Sequence, residues 1–260
     1  MNAVELYKRL PKQNCGKCRQ KTCMPFAFAL LNGETELAEC PCLTESEIDE
    51  LKSSIQKSDW REDLILKLRK EIGGIDFQQV AAGLGVEIKA GNFVVRSLGR
   101  EFVITPDGGI STHGHITPWI KILLLHYVRT RGQAPLSGKW VSYSDLKGGM
   151  VKASSFRREC EEPLRDLLDQ DSGKVQEILK RLGAEELDGF AAMNAWQLFL
   201  FPKVPVLVLY WPQEDEFDSK VSVLLDSTAD HFLDVESLIF LGEGLIKNIE
   251  ASLRHGDGAG

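Results

Sequence analysis

Five of the six cysteines in this 260-residue chain lie between Leu10 and Leu43. Four of them, Cys15, Cys18, Cys23 and Cys40, are spaced C-x2-C-x4-C-x16-C, with Pro41 directly after the last. Thiolates are soft donors. Three crowded into nine residues, with a fourth returned by a short helix, read as the ligands of one iron–sulfur site. Zinc is the competing metal, but structural zinc usually draws on two separated short-spaced pairs. Here three ligands are packed together and the fourth is a distant Cys-Pro, so the pattern favours iron–sulfur. A single set argues for one 4Fe-4S cluster. Gly16 suits a tight wrap in which backbone amides approach sulfur. Cys42 is a fifth thiol beside Cys40. It is read as a spare, partly buried cysteine, with an alternative ligand or a redox-active thiol as the sharper options.

Charge is sorted around these residues. Lys8, Arg9, Lys12, Lys17, Arg19 and Lys21 surround the first three cysteines with no acid among them, whereas every charged residue from Glu34 to Glu50 is acidic. The basic stretch could dock an acidic redox partner. It could equally compensate a cluster that is net anionic once four thiolates hold it.

Chemistry is sparser downstream. His113 and His115 stand two apart and would share one side of a strand if the strand continued, as metal or axial cofactor ligands require. Loop histidines without a third ligand are more often simply polar. Trp211 opens a segment with four carboxylates in five residues, Glu214, Asp215, Glu216 and Asp218. That segment reads as a cation-binding loop or as a solvated hairpin tip. His113, His115 and Trp211 are thus the candidate cofactor-binding residues of this region. His126 lies in an apolar run and reads as a hydrogen-bonded core histidine, and Cys160 as an inert buried thiol. No Ser/His/Asp or Cys/His arrangement and no glycine-rich phosphate loop stands out, so catalytic residues stay unassigned.

The elements that must position these residues follow from periodicity and punctuation. Ala3 to Leu10 predicts a lead helix ended by Pro11. Met24-Pro25 opens a helix closed by Asn32-Gly33. Thr44 to Glu47 is a capping-box pattern. Ser58 or Asp59 caps a helix ended by Gly73-Gly74, and Asp76 caps one stopped by Gly83 and Gly85. The period then changes to two over Val86–Ile88, Phe93–Val95 and Glu101–Ile104. Thr117-Pro118 starts an apolar helix to Arg131, with Ile120, Leu123, Leu124 and Tyr127 buried and Lys121, Leu125 and Arg129 on another face. After a loop from Gly132 to Gly149, a helical stretch must kink or restart at Pro163, and Ser172 caps a further helix. Strands return at Trp196–Phe201, Val204–Trp211 and Val221–Asp226, with Pro202 and Pro205 suggesting a turn or an edge strand. Asp234 caps a last helix to Leu253. Strand clusters between several packed helices predict an α+β larger domain with a mainly antiparallel sheet, preceded by a small helical iron–sulfur module. The expected divisions are 1–46 for the cluster module, 47–74 for a helical linker, 75–254 for the larger domain and 255–260 for a disordered tail.

Bulk properties bound the partners. A net charge of −7 argues against nucleic acid. No run of 18 apolar residues occurs and MNAVELYKRL lacks a signal-peptide stretch, so no membrane span and a cytoplasmic location are expected. Clustered cysteines in such a chain point to metal rather than disulfides.

The first 45 or so residues resemble the iron–sulfur domain of the corrinoid iron–sulfur protein large subunit and of the Rnf complex B subunit. The likeness is carried by Leu10, Pro11, Cys15, Gly16, Cys18, Cys23, Phe26, Ala27, Cys40 and Pro41. It implies a 4Fe-4S cluster ligated by Cys15, Cys18, Cys23 and Cys40, and it departs from the pattern at Cys42. Ile75 to Leu253 resembles a domain-of-unknown-function family of largely anaerobic prokaryotes. That likeness rests on Leu124-Leu125-His126-Tyr127, Gly138 to Tyr143, and Phe201 to Asp226, and it implies a fold unit and no reaction. The resulting expectation is a redox protein passing single low-potential electrons to a partner protein or bound cofactor. The first resemblance implies anaerobic one-carbon or corrinoid metabolism, with a corrinoid on the chain itself or on a corrinoid protein partner. The alternatives are a redox enzyme with its active site in the larger domain, or an iron–sulfur sensor or scaffold.

Overall fold

The computed structural model describes residues 3–32, 35–56, 60–214 and 217–256. The chain separates into two compact units, Met1–Leu66 and Lys67–Gly260. In the first, α1 (Ala3–Arg9) packs on α2 (Cys23–Asn32), a 3-10 turn (Leu37–Glu39) leads to Cys40, and α3 (Glu45–Gln56) follows. Leu6, Leu10, Phe26, Ala27, Leu30, Leu37 and Leu51 form its core together with Cys23 and Cys40. Pro25 falls in the first turn of α2, where its missing N–H costs nothing. The expected capping box is present: Glu47 N–H donates to Thr44 Oγ1 at 3.3 Å and Thr44 N–H to Glu47 Oε2 at 2.8 Å. The boundary between the units falls inside α4 (Trp60–Ile72). The expected caps at Ser58 or Asp59 and the expected stop at Gly33 lie outside the described residues.

The second unit is α+β, and all of its strand pairs among the described residues are antiparallel. After α5 (Phe77–Leu84), strands β1 (Glu87–Lys89), β2 (Asn92–Ser97), β3 (Arg100–Ile104) and β4 (Ile110–Ser111) form a meander. Then come α6 (Pro118–Arg129), β5 (Trp140–Ser142), α7 (Gly149–Phe156), one π-helical turn (Arg157–Glu161) and α8 (Glu162–Arg181). The strands β6 (Glu185–Glu186), β7 (Asn194–Phe201), β8 (Val204–Trp211) and β9 (Lys220–Asp226) complete a second sheet of order β5-β9-β8-β7-β6. The long α9 (Val235–Gly256) ends the described chain. It passes the expected end at Leu253, and the rest of the expected tail, 257–260, lies outside the described residues.

Tertiary context overrides several local expectations. Gly83 sits inside α5 rather than ending it, and the position requires glycine because a Cβ there would lie 2.4 Å from the carbonyl oxygen of Gly132. Leu125, expected on a different face from Leu123, Leu124 and Tyr127, is as fully buried as they are, and Ile120 is only half-buried; α6 is covered on more than one side. The expected loop from Gly132 to Gly149 contains β5. Pro205 lies in an interior strand, tolerated beside the register shift at Phe199/Phe201. Asp171, not Ser172, caps the second half of α8 by accepting from Lys174 N–H at 3.0 Å. Pro163 restarts the helix after the π turn, and Cys160 is buried as expected, its Sγ 3.6 Å from the carbonyl of Ile239.

One carboxylate ties the second sheet together. Asp226, 2% exposed, accepts from Ser137 N–H and Oγ, Gly138 N–H, and Thr228 N–H and Oγ1, all within 3.1 Å. Burial pushes its pKa up, but these donors outweigh it and hold the group below its ordinary value. Tyr127 plays a matching part in α6, donating to the Leu84 carbonyl and accepting from Lys203 N–H at 3.0 Å. Replacing Asp226 with alanine strands several buried donors and is expected to cost about 3 kcal/mol. Urea unfolding of the full chain measures this, and a loss under about 1 kcal/mol would contradict the cage.

Candidate metal centre

The cysteine loop starts where Pro11 ends α1. Within it the backbone is left-handed at Lys12 (φ 56°), Asn14 (45°), Gly16 (69°) and Lys21 (57°). Glycine adopts this conformation freely, whereas each of the other three residues pays about 1 kcal/mol for it. Strain gathered this densely is a mark of a built site. Repeated left-handed residues coil the chain around a point and turn amides inward. The amide of Lys17 donates to the Cys15 sulfur in this way. Asn14 anchors the coil: its Oδ1 accepts from Cys23 N–H at 2.8 Å, satisfying one of the open donors at the start of α2.

The loop, the start of α2 and the end of the 3-10 turn bring five thiols together. Cys15, Cys18, Cys23, Cys40 and Cys42 all line one narrow recess, beside Gln13, Gly16 and Thr22. Cys23 and Cys40 are buried in the apolar core, Cys18 and Cys42 are half-buried, and Cys15 is exposed. Cys42 is partly buried as expected, and its Sγ lies 3.7 Å from Cys15 Sγ and 3.3 Å from Gln13 Oε1. Among the described residues no three His, Cys, Asp or Glu side chains are drawn close enough for a single metal ion.

The electrostatics follow from gathering sulfurs in one place. Burial, then the neighbouring Cys40 and the other thiols, pushes Cys18 up to about 11. The Lys17 amide, then Cys42, draws Cys15 below its ordinary value, and the hydrogen bond with Cys15 raises Cys42. Thiols that resist ionising together need a cationic centre to become thiolates. Soft donors, an apolar backing and inward amides are a set that fits an iron–sulfur cluster.

Residues 76–248 match the family described as "Domain of unknown function (DUF3786)", more than half of the chain. The chain belongs to that family. Ahead of the DUF3786 region, residues 10–42 match the family described as "Putative Fe-S cluster". The acetyl-CoA decarbonylase/synthase complex subunit gamma of Methanopyrus kandleri is 42% identical over 52 residues, 20% of this chain and 11% of that protein. The corrinoid/iron-sulfur protein large subunit of Moorella thermoacetica is 41% identical over 46 residues, 18% of this chain and 10% of that protein. The chain thus spans about a tenth of the length of these curated relatives. No solved structure matches it.

The other candidate residues of the DUF3786 domain are dispersed. The strand before His113 ends at Ser111, so the alternation that would put both imidazoles on one side does not continue. His113 and His115 are exposed, and their carbonyls accept from Arg100 Nη2 at 3.2 and 3.0 Å. Trp211 is half-buried; its indole N–H donates to Ala191 O at 3.0 Å, and Lys220 Nζ lies 5.3 Å from its ring centre. Glu214 and Asp218 are exposed beyond it, while Asp215 and Glu216 lie outside the described residues. His126 is tied to the start of α9, with Nδ1 3.5 Å from Asp234 Oδ2 and 3.4 Å from Ser237 Oγ. Asp234 caps that helix as expected, accepting from Ser237 N–H at 2.8 Å. The family-like stretches Gly138–Tyr143 and Leu225–Asp226 meet as neighbouring strands, paired Trp140 to Asp226.

The sequence reading missed Asn14 and Gln13 as parts of the site. Their signal was position alone, directly before Cys15. Asn14→Ala removes an open-donor cap worth about 1 kcal/mol and is expected to speed iron loss to a chelator about fivefold. A stopped-flow chelation assay on the loaded chain checks this. Asp234 gives a second expectation. The hydrogen bond from His126, followed by that from Ser237 against the cost of burial, holds its pKa at about 2. A depressed carboxylate stabilises the fold above its unfolded value near 3.9, and that contribution disappears as pH falls through about 2. Asp234→Asn keeps the helix cap, so it should flatten the stability profile between about pH 4 and pH 2, read by urea unfolding across pH.

Proposed function

We propose that this protein is a 4Fe-4S electron carrier whose cluster is held by Cys15, Cys18, Cys23 and Cys40. The observation that carries this reading is the convergence of those thiols on one recess, under a left-handed backbone and against an apolar core. Bound there, the cluster supplies single-electron transfer at a potential set by its surroundings.

The chain's own residues do the tuning. The core around Phe26, Leu37 and Leu51 keeps water from the Cys23 and Cys40 side. The Lys17 amide donates to sulfur and Lys12, Lys17 and Lys21 supply positive charge, which favours the more negative, reduced state. Cys15, on the exposed side, marks where an electron enters or leaves. The acceptor is a redox partner protein or a cofactor that it carries. The likeness of residues 10–42 to proteins named for acetyl-CoA decarbonylase/synthase and corrinoid iron–sulfur chemistry supports a place in anaerobic one-carbon metabolism, with a corrinoid protein as partner. The DUF3786 domain docks that partner. No helix among the described residues is long and apolar enough to cross a membrane, and the reading places the protein in the cytoplasm.

Purified without oxygen, the full chain should be brown, carry about four irons and four sulfides, and give an electron paramagnetic resonance signal on reduction. A colourless preparation holding only zinc would overturn the reading. Cys23→Ser should lower the iron content or convert the cluster while the DUF3786 domain keeps its cooperative unfolding. An anaerobic pull-down with visible spectroscopy tests the partner, a corrinoid absorbing beyond the iron–sulfur shoulder.

A further inference from the structure

The fifth thiol has a position that a four-ligand motif does not explain. Cys42 and Cys15 come from segments separated by 27 residues, yet their sulfurs meet at 3.7 Å on the outer side of the recess. Two thiolates on one tetrahedral metal, with bonds of about 2.3 Å, stand about 3.8 Å apart. The sulfurs of Cys42 and Cys15 are in contact at a similar distance, so either can reach a metal position beside the other. Cys23 and Cys40 line the same recess from buried positions and Cys18 from a half-buried one.

The position of Cys42 is also held. Cys40 is pinned by its amide to the Leu37 carbonyl at 3.1 Å, and its own carbonyl accepts from Leu43 N–H at 3.2 Å. A tether of one proline then leaves Cys42 little freedom, and Gln13 Oε1 receives its S–H at 3.3 Å. Gln13 and Cys15 lie in the same loop, so the loop that carries one thiol also orients the other.

We propose that Cys42 is an interchangeable fifth ligand of the cluster, completing the same outer iron that Cys15 binds. The inference rests on the cluster reading above. In the exchange the iron–sulfur bond to Cys15 breaks as the bond to Cys42 forms. Cys42 gives its thiol proton to solvent and Cys15 takes one up, so cluster charge and electron count are unchanged. The outer iron therefore keeps a protein thiolate when either cysteine is lost.

The test compares the full-length chain with Cys15→Ala, Cys42→Ala, the double variant and Cys23→Ala, each loaded anaerobically with ferrous iron and sulfide. Iron and sulfide per chain and the reduced resonance spectrum are read. Each outer single variant should keep the wild-type four irons, and Cys15→Ala should shift the spectrum; the double variant should fall to about three irons and Cys23→Ala should lose the cluster. A second readout needs no double variant: brief alkylation of loaded Cys15→Ala, followed by mass spectrometry, should leave Cys42 protected. A Cys15→Ala chain as iron-poor as the double variant, or with Cys42 fully alkylated, overturns the inference while the wild-type cluster stands. A wild-type chain that takes up no iron and sulfide overturns both readings.

Discussion

Thiolates repel one another, and no fold gathers several in one recess without something to hold them there. That constraint organises the first unit. Cys23 and Cys40 sit in its apolar core, and Cys18 is pushed up to about 11 by burial and its neighbours. A cationic cluster reverses the balance, turning repelling sulfurs into shared ligands. The left-handed run from Lys12 to Lys21, the Asn14 cap and the paired Cys15 and Cys42 sulfurs all become intelligible as parts of one cradle.

The DUF3786 domain follows a different logic. Its most distinctive residues hold backbone to backbone. Asp226 collects five donors from two segments, and Tyr127 joins the end of α5 to the turn between β7 and β8. Among the described residues, His113, His115, Glu214 and Asp218 are exposed, and His126 and Asp234 meet at the start of α9. The domain commits the buried polar groups of Asp226 and Tyr127 to holding backbone segments together.

Much of this was legible in the sequence because it is local. Cysteine spacing, the Thr44 and Asp234 caps, the period-two runs of β2 and β3 and the apolar run of β8 depend on neighbours within a few residues, and the caps and strands appear where the pattern puts them. What escaped depends on distant chain. β5 lies in a stretch rich in Gly, Pro and Ser and is a strand because β9 offers it an edge. Gly83 reads as a helix stop, yet it is required by the close approach of Gly132. The two-residue spacing of His113 and His115 meant something only if the strand went on, and β4 is too short.

The cysteine loop divides in the same way. The sequence by itself singled out Cys15, Cys18, Cys23 and Cys40 as the proposed ligand set, because three of them are confined to nine residues and a short helix can return the fourth. Only the tertiary structure decided the place of Cys42. Whether a thiol two residues past a ligand turns towards the site or away depends on the path of the chain around Cys40. The packing of the 3-10 turn and α3 against the core sets that path, and it brings the sulfur of Cys42 against that of Cys15.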